Sequence, residues 1–225
     1  MEAYLHVLQK VNLFQGLSNA EILSVLKCLG TRVTGYPKDG AVMLAGDAPE
    51  RVGIVLGGRV RIQREDMDGN LAVIDEIAPG GMFGEAFACA GVARIPVSVW
   101  ATEETEILFL NYAKIIAVCP SACNFHARLI RNMLRGIAGK LIALNQKLDI
   151  VQKNTIREKL AAYFESCVQK SDTRRFTIPF DRNTLAEYLG VNRSAVSREL
   201  GKMRDEGLLT FRKNDFTLLR RDPKS

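Results

Sequence analysis

At 225 residues the chain is long enough for one large domain or for two modest ones with a core each. Hydrophobic residues make up 47% and charged residues 25%, which excludes a disordered chain; no run of eighteen apolar residues occurs, and Glu2, His6 and Lys10 interrupt the place where a signal peptide needs an apolar core, so a cytoplasmic protein without a membrane segment is expected. The formal charge of +6 is placed unevenly: residues 153–225 hold sixteen Lys or Arg against ten Asp or Glu, whereas residues 1–152 hold fifteen of each, so the last third is either the partner of a polyanion or a soluble basic domain.

Residues 3–14 and 19–29 read as short helices, the second capped by Ser18 or Asn19 and closed by Gly30. From Arg32 to Leu110 the texture becomes β-rich. Short runs at Val52–Leu56, Arg59–Arg64, Leu71–Ile77, Val97–Thr102 and Glu106–Leu110 alternate with turn signals at Pro37–Gly40, Gly57–Gly58, Asp68–Asn70 and Pro79–Gly81, which predicts an antiparallel barrel or sandwich. A helical turn at Tyr112–Val118 and a stop at Pro120 follow.

A long helix is expected from Ser121 to Val151. Phe125, Leu129, Met133, Ile137, Leu141, Leu144, Leu148 and Val151 recur every three or four residues and form one apolar stripe. That stripe suits a parallel coiled-coil homodimer or a helix lying across its own barrel, and both uses are expected in part. Asn154 is the expected cap of a helix over Thr155–Val168, and Phe176–Phe180 has the pattern of a short strand.

Residues 181–209 read DRNTLAEYLGVNRSAVSRELGKMRDEGLL. A helix over Arg182–Leu189, capped by Asp181, buries Leu185 and Leu189; Gly190 allows a tight turn; and a helix over Arg193–Glu206 buries Val196, Leu200 and Met203. Ala186 is small where the two must cross. This spacing predicts a helix-turn-helix. Arg193, Ser194, Ser197 and Arg198 line the outer face of the second helix near its start, where a helix in a major groove meets base edges, so they are the candidate base-reading residues. A hairpin follows, Leu208–Phe211 and Phe216–Leu219. It forms a wing whose Arg212 and Lys213, together with Arg182 and Asn183, are candidate contacts to DNA phosphate; Asn183 serves equally well as a local capping residue.

The order of barrel, long helix and winged helix-turn-helix, ending in NRSAVSRELGKMRDEGLL and a hairpin, resembles the Crp/Fnr family of transcription regulators over nearly the whole chain, from Leu13–Phe14 to Leu219. The resemblance implies an α+β fold. Its parts are a double-stranded β-helix (jelly-roll) sensor barrel resembling a cyclic-nucleotide-binding domain over residues 1–120, a dimerisation helix over 121–152 and a winged helix-turn-helix over 153–225. It implies a homodimer on a palindromic operator in double-stranded DNA, with RNA polymerase as a further partner if the protein activates. It also places Arg193, Ser194 and Arg198 at base-contacting positions, and Arg182 and Asn183 at phosphate-contacting ones. Many members carry Glu where this chain has Ser194, so a different half-site is expected.

The segment Gly80–Gly81–Met82–Phe83–Gly84–Glu85 is similar to the family's phosphate-binding turn, which makes Gly84, Glu85 and Arg94 the candidate effector-pocket residues; an inherited structural turn is the competing reading. In cyclic-nucleotide-binding members a glutamate grips the ribose and a later arginine pairs with the cyclic phosphate. Here that arginine position falls on Ile95, with Arg94 one residue away and therefore on the opposite face of a strand unless a bulge intervenes. Cyclic AMP is therefore not the expected effector, and no cofactor is predicted.

Five scattered cysteines fit neither a disulfide framework nor the iron–sulfur ligand spacing of the family, since Cys28 alone lies near the amino terminus; Cys119 and Cys123 are either two small buried residues or a reactive pair. No metal site and no catalytic residue is predicted, because hydrolase elbow, phosphate loop and His/Glu metal spacings are absent from a chain with two histidines. The alternative to a DNA-reading regulator is a cyclic-nucleotide-binding protein acting through protein partners.

Overall fold

A computed structural model of the chain describes residues 1–66, 68–117 and 124–220. It divides into two units, Met1–Gly139 and Lys140–Ser225. The helix expected over residues 3–14 is three pieces: a 3-10 turn at Glu2–Tyr4, α1 at Leu5–Leu8 and a second 3-10 turn at Asn12–Phe14. Val11 takes an extended backbone, φ −75° and ψ 123°, and Leu8, Val11, Leu13 and Phe14 are all buried. One continuous helix would have spread those four side chains round its circumference. Helix α2, Asn19–Leu29, is capped by Ser18: the Glu21 N–H donates to the Ser18 hydroxyl and the Ser18 N–H to the Glu21 carboxylate.

Eight strands follow: β1 Arg32–Tyr36, β2 Ala41–Met43, β3 Arg51–Gly57, β4 Val60–Glu65, β5 Leu71–Ile77, β6 Met82–Phe83, β7 Ser98–Ala101 and β8 Thr105–Asn111, with α3, Glu85–Ala90, between β6 and β7. They pair antiparallel in two four-stranded sheets, β1-β8-β3-β6 and β2-β7-β4-β5, which is the expected jelly-roll. Strands β3 and β8 are covered on both faces. Val52, Ile54, Leu56, Leu108 and Leu110 pack outward against Leu8, Phe14, Ile22 and Leu26 of the helical segments, while Val55, Ile107 and Phe109 point into the barrel beside Phe83, Ile95 and Val99. Double burial explains why both strands read as almost unbroken apolar runs.

Helix α4, Tyr112–Ile116, and the long α5, Asn124–Val151, come next; the predicted positions Val118, Cys119, Pro120, Ser121 and Cys123 lie outside the described residues. The stripe on α5 divides. Leu129 and Met133 are buried in the outer cluster of the first unit and Phe125 and Ile137 pack against it, whereas Leu141, Leu144 and Leu148 are exposed. Leu134 is exposed too, and with Leu141 and Leu148 it makes a series spaced by seven.

The second unit contains α6, Ile156–Ser171, then β9 Arg175–Thr177, α7 Arg182–Leu189, α8 Arg193–Asp205, β10 Leu209–Arg212 and β11 Asp215–Leu218. The cap of α6 is Thr155 and not Asn154: the Thr155 hydroxyl accepts from the Glu158 N–H while the Glu158 carboxylate accepts from the Thr155 N–H, an exchange that needs Glu three residues after the cap. The strand expected over Phe176–Phe180 is shorter, and Pro179, which has no N–H to give, lies beyond its end. Leu160, Phe164, Leu185, Leu189, Val196, Leu200, Leu209 and Phe216 form the core of this unit.

Candidate nucleic-acid interface

Asp181 caps α7 by accepting from the Thr184 N–H at 2.8 Å, and these hydrogen bonds hold its carboxyl below the usual carboxylate range. Gly190, at φ 65°, ends the helix in the left-handed region that favours glycine, and the Val191 N–H returns to the Ala186 carbonyl at 3.0 Å. The turn brings α8 across α7 at Ala186, which is buried. Val196, Leu200 and Met203 then face the core, so that Arg193, Ser194, Ser197 and Arg198 share the opposite, exposed face of the first two turns. Asn192, which the sequence reading passed over, precedes α8 and makes no capping bond through its side chain. It is exposed beside Arg193 and Ser194, and its place immediately before the helix was the available signal.

Helix α8 is braced from behind. Arg157 of α6, with only 15% of its side chain exposed, makes ion pairs with Glu199 at 3.7 Å and with Glu206. Lys159 donates from Nζ to the Leu189 carbonyl at 3.2 Å, where the negative end of α7 favours a cation. These ties join α6 to both helices of the reading unit, and sequence spacing gave no sign of them.

Strands β10 and β11 form a hairpin, with Arg212 opposite Asp215 and the two-residue turn Lys213–Asn214 between them. Strand β11 also pairs with β9, and Thr177 Oγ1 donates to Asp215 Oδ1 at 2.6 Å. Arg212 and Lys213 are exposed at the tip, and Asn183 is exposed on the first turn of α7. Arg182 differs. Its guanidinium lies over the rings of Phe211 at 5.2 Å and Phe216 at 5.1 Å, and Nη2 donates to the Lys213 carbonyl at 2.7 Å. Burial pushes this guanidinium below its ordinary pKa.

In the barrel, Gly84 has φ 80° and opens α3; a side chain there would stand 3.1 Å from the Arg51 carbonyl. Glu85 is buried. Ile95 is 2% exposed and packs with Phe83, Val99 and Ile107 in the barrel interior. Arg94 is exposed, and its Nη1 donates to the Gly46 carbonyl at 2.6 Å. The structure therefore places Glu85 inside the protein and Arg94 at its surface. Among the described residues no three His, Cys, Asp or Glu side chains gather as a metal site, and no helix is long and apolar enough to cross a membrane.

A jelly-roll barrel followed by a winged helix-turn-helix with a cationic outer face defines a DNA-binding regulator that carries its own sensor-type domain. The comparisons with known proteins agree at both ends. Residues 33–121 match the cyclic nucleotide-binding domain and residues 158–223 the Crp-like helix-turn-helix domain. The chain is 26% identical over 200 residues to the cyclic AMP receptor protein of Thermus thermophilus, covering 88% of this chain and 87% of that one. It is 27% identical over 185 residues to the nitrogen fixation regulation protein FixK of Rhizobium meliloti, covering 81% of each. The crystal structure of the Thermus thermophilus catabolite activator protein superposes with a TM-score of 0.54 at 23% identity, over 92% of this chain and 93% of that one. The chain belongs to the Crp/Fnr family of transcription regulators.

Proposed function

We propose that this regulator binds a palindromic operator as a two-fold dimer, with Arg193, Ser194, Ser197 and Arg198 meeting base edges in the major groove, and Asn183, Arg212 and Lys213 meeting phosphate. The observation that carries the reading is the outer face of α8: four polar side chains, two of them guanidinium groups, stand exposed on its first turns while Val196 and Leu200 are buried in the core. Arginine pairs bidentately with guanine, whereas Ser194 lacks the carboxylate that would select cytosine. A Crp-like helix-turn-helix over residues 158–223 favours this reading over a regulatory protein that acts through protein partners alone.

Dimerisation is assigned to the exposed series Leu134, Leu141 and Leu148 on α5, because a seven-residue apolar repeat is the seam of a left-handed coiled coil. The working division is an effector barrel over residues 1–120, a dimerisation helix over 121–152 and the DNA-reading domain over 153–225, in a cytoplasmic, non-catalytic protein that engages RNA polymerase when it activates. The effector of the barrel is a molecule other than cyclic AMP. An aliphatic Ile95 packed at 2% exposure supplies no charge-assisted partner for a cyclic phosphate, and Arg94 is occupied at the surface by the Gly46 carbonyl.

Binding-site selection from a random duplex library, run on the wild type and on Arg198→Ala, tests the assignment. Loss of the arginine is expected to relax preference at one base pair per half-site and to cost about 1–3 kcal/mol on the selected operator. The same motif with the same sharpness from both proteins would remove α8 from the groove.

A further inference from the structure

Arg182 is a half-buried cation of the candidate DNA face, and its guanidinium is already engaged within the domain. Its Nη2 is committed to the Lys213 carbonyl at 2.7 Å, across thirty-one positions of sequence. Its Nη1 is withdrawn from solvent and has no hydrogen-bond partner. What compensates that buried charge is a pair of aromatic faces, since the guanidinium carbon lies 5.2 Å from the Phe211 ring centre and 5.1 Å from that of Phe216. These two rings are themselves stacked, 5.5 Å apart and 25° from parallel, one on each strand of the wing. Arg204, from the far end of α8, approaches Phe211 at 6.0 Å.

The carbonyl that Arg182 holds belongs to the residue under most backbone strain in the wing. Lys213 has φ 55°, in the left-handed region that residues with a Cβ seldom occupy. Three hydrogen bonds hold this turn from two sides. On one side Thr177 donates to Asp215, and the Ile178 N–H donates to the Asn214 carbonyl at 2.9 Å, both from the β9 segment. On the other side stands Arg182, the first residue of α7. The β9 ties keep the hairpin in its sheet, whereas Arg182 links the tip to the helix pair that carries the reading face.

We propose that Arg182 is a positioning residue: wedged beneath the wing, it sets the tip so that Arg212 and Lys213 lie at the phosphate backbone while α8 lies in the groove, and it acts through the wing without touching phosphate itself. The proposal rests on the reading of the wing as a DNA contact. It requires the planar guanidinium, because an ammonium at the same place cannot present a delocalised face to two rings while holding a carbonyl.

The test uses the full-length protein and a duplex carrying its selected operator, with affinity measured from 50 to 300 mM salt for Arg182→Lys, Arg182→Gln, Phe211→Leu, their combination, and the wing variant Arg212→Gln/Lys213→Gln. Hydrogen exchange at the Asn214 and Asp215 amides is followed in the free proteins. A positioning role predicts that Arg182→Lys loses affinity about as far as Arg182→Gln, roughly tenfold, the equivalent of one charge-assisted contact. Phe211→Leu should reproduce the loss and the combination should add little. Exchange at the turn should rise in each of these variants. In the wing variant, whose salt slope should be lower by about two, Arg182→Gln should lower the slope no further. A direct phosphate contact gives the opposite pattern: Arg182→Lys binds like the wild type, Phe211→Leu is silent, and Arg182→Gln lowers the slope by about one even without the wing charges. That pattern overturns the proposal, and so does unchanged exchange at the turn in Arg182→Gln. If the wing variant keeps the wild-type slope, the wing is not a DNA contact, and the reading on which the proposal rests has failed; raised exchange in Arg182→Gln would then leave Arg182 as a brace of the hairpin alone.

Discussion

The two units carry their chemistry on opposite sides of their cores. In the first unit the distinctive positions face inward: Ile95 fills the place where the family resemblance puts an anion-binding arginine, Glu85 is buried at the head of α3, and residues 1–139 are almost neutral, with 13 Lys or Arg against 14 Asp or Glu. In the second unit the interior is ordinary aliphatic and aromatic packing, and the distinctive positions are cations on its surface. A buried site is limited by volume and desolvation, so one substitution changes what fits. A surface site is limited by geometry, so it depends on whatever aims its side chains, here the α6 ties and the wing. The comparison becomes sharp when each side is broken separately.

The largest effect is expected from the helix that both units share. Replacing Leu141 with Glu puts a carboxylate into the proposed seam, and sedimentation should then show monomers at concentrations where the wild type is dimeric. Because a dimer holds two half-sites at once, affinity for the palindrome should fall by about a hundredfold or more, while affinity for an isolated half-site changes little. A Leu141→Glu protein that stays dimeric places the seam elsewhere.

Next in size is a break inside the barrel. Gly53 on β3 pairs with Phe83 on β6, and a Cβ added at Gly53 would stand 2.1 Å from the ring of Phe83, which is itself 1% exposed. The ring has little room to retreat, because Phe109 meets it edge-on with centres 6.5 Å apart. Gly53→Ala should therefore destabilise the barrel by about 1–3 kcal/mol through overpacking. Calorimetry should show this loss in the transition of the first unit while the transition of the second holds its position. A joint shift of both would mean that the two cores unfold as one.

Much of this was legible beforehand. The helix-turn-helix and wing follow from local rules: Gly190 where the helix must end, apolar residues every three or four positions, and a hairpin bounded by aromatics. The barrel was legible where strands are doubly buried, as in β3 and β8. It was not at β1, where Arg32, Thr34 and Gly35 give no clean alternation. The apolar stripe of α5 includes Met133, which belongs to the outer cluster of the first unit, whereas the seam proposed here runs through the exposed Leu134, whose spacing of seven to Leu141 is readable in the sequence. Arg182 was the least legible. Nothing within a helical turn of it marks the wing above, since its contacts at Phe211, Lys213 and Phe216 lie about thirty residues downstream.

The smallest expected effect separates the units by alkaline titration. Burial, with the neighbouring Cys167 thiol adding to it, raises the Tyr163 phenol far above its ordinary pKa; burial followed by Cys167 raises Tyr188 as well. The folded unit therefore keeps a neutral phenol that the unfolded chain gives up at about pH 10. Stability from this source is fully present below that pH and is lost as the pH climbs from there toward the folded pKa. Tyr163→Phe keeps a ring of the same size against Phe180, 6.0 Å away, and Tyr188, 5.4 Å away, and removes only the hydroxyl. At pH 7 the variant should differ from the wild type by no more than about 1 kcal/mol, the net worth of one hydrogen bond. Above about pH 10 the two should diverge, with the second unit of the wild type losing melting temperature faster. The first unit supplies the internal control: burial also raises Tyr36 there, so its transition should keep the same alkaline slope in both proteins. Parallel slopes for the second unit in wild type and variant would mean that its aromatic core opens enough to solvate Tyr163.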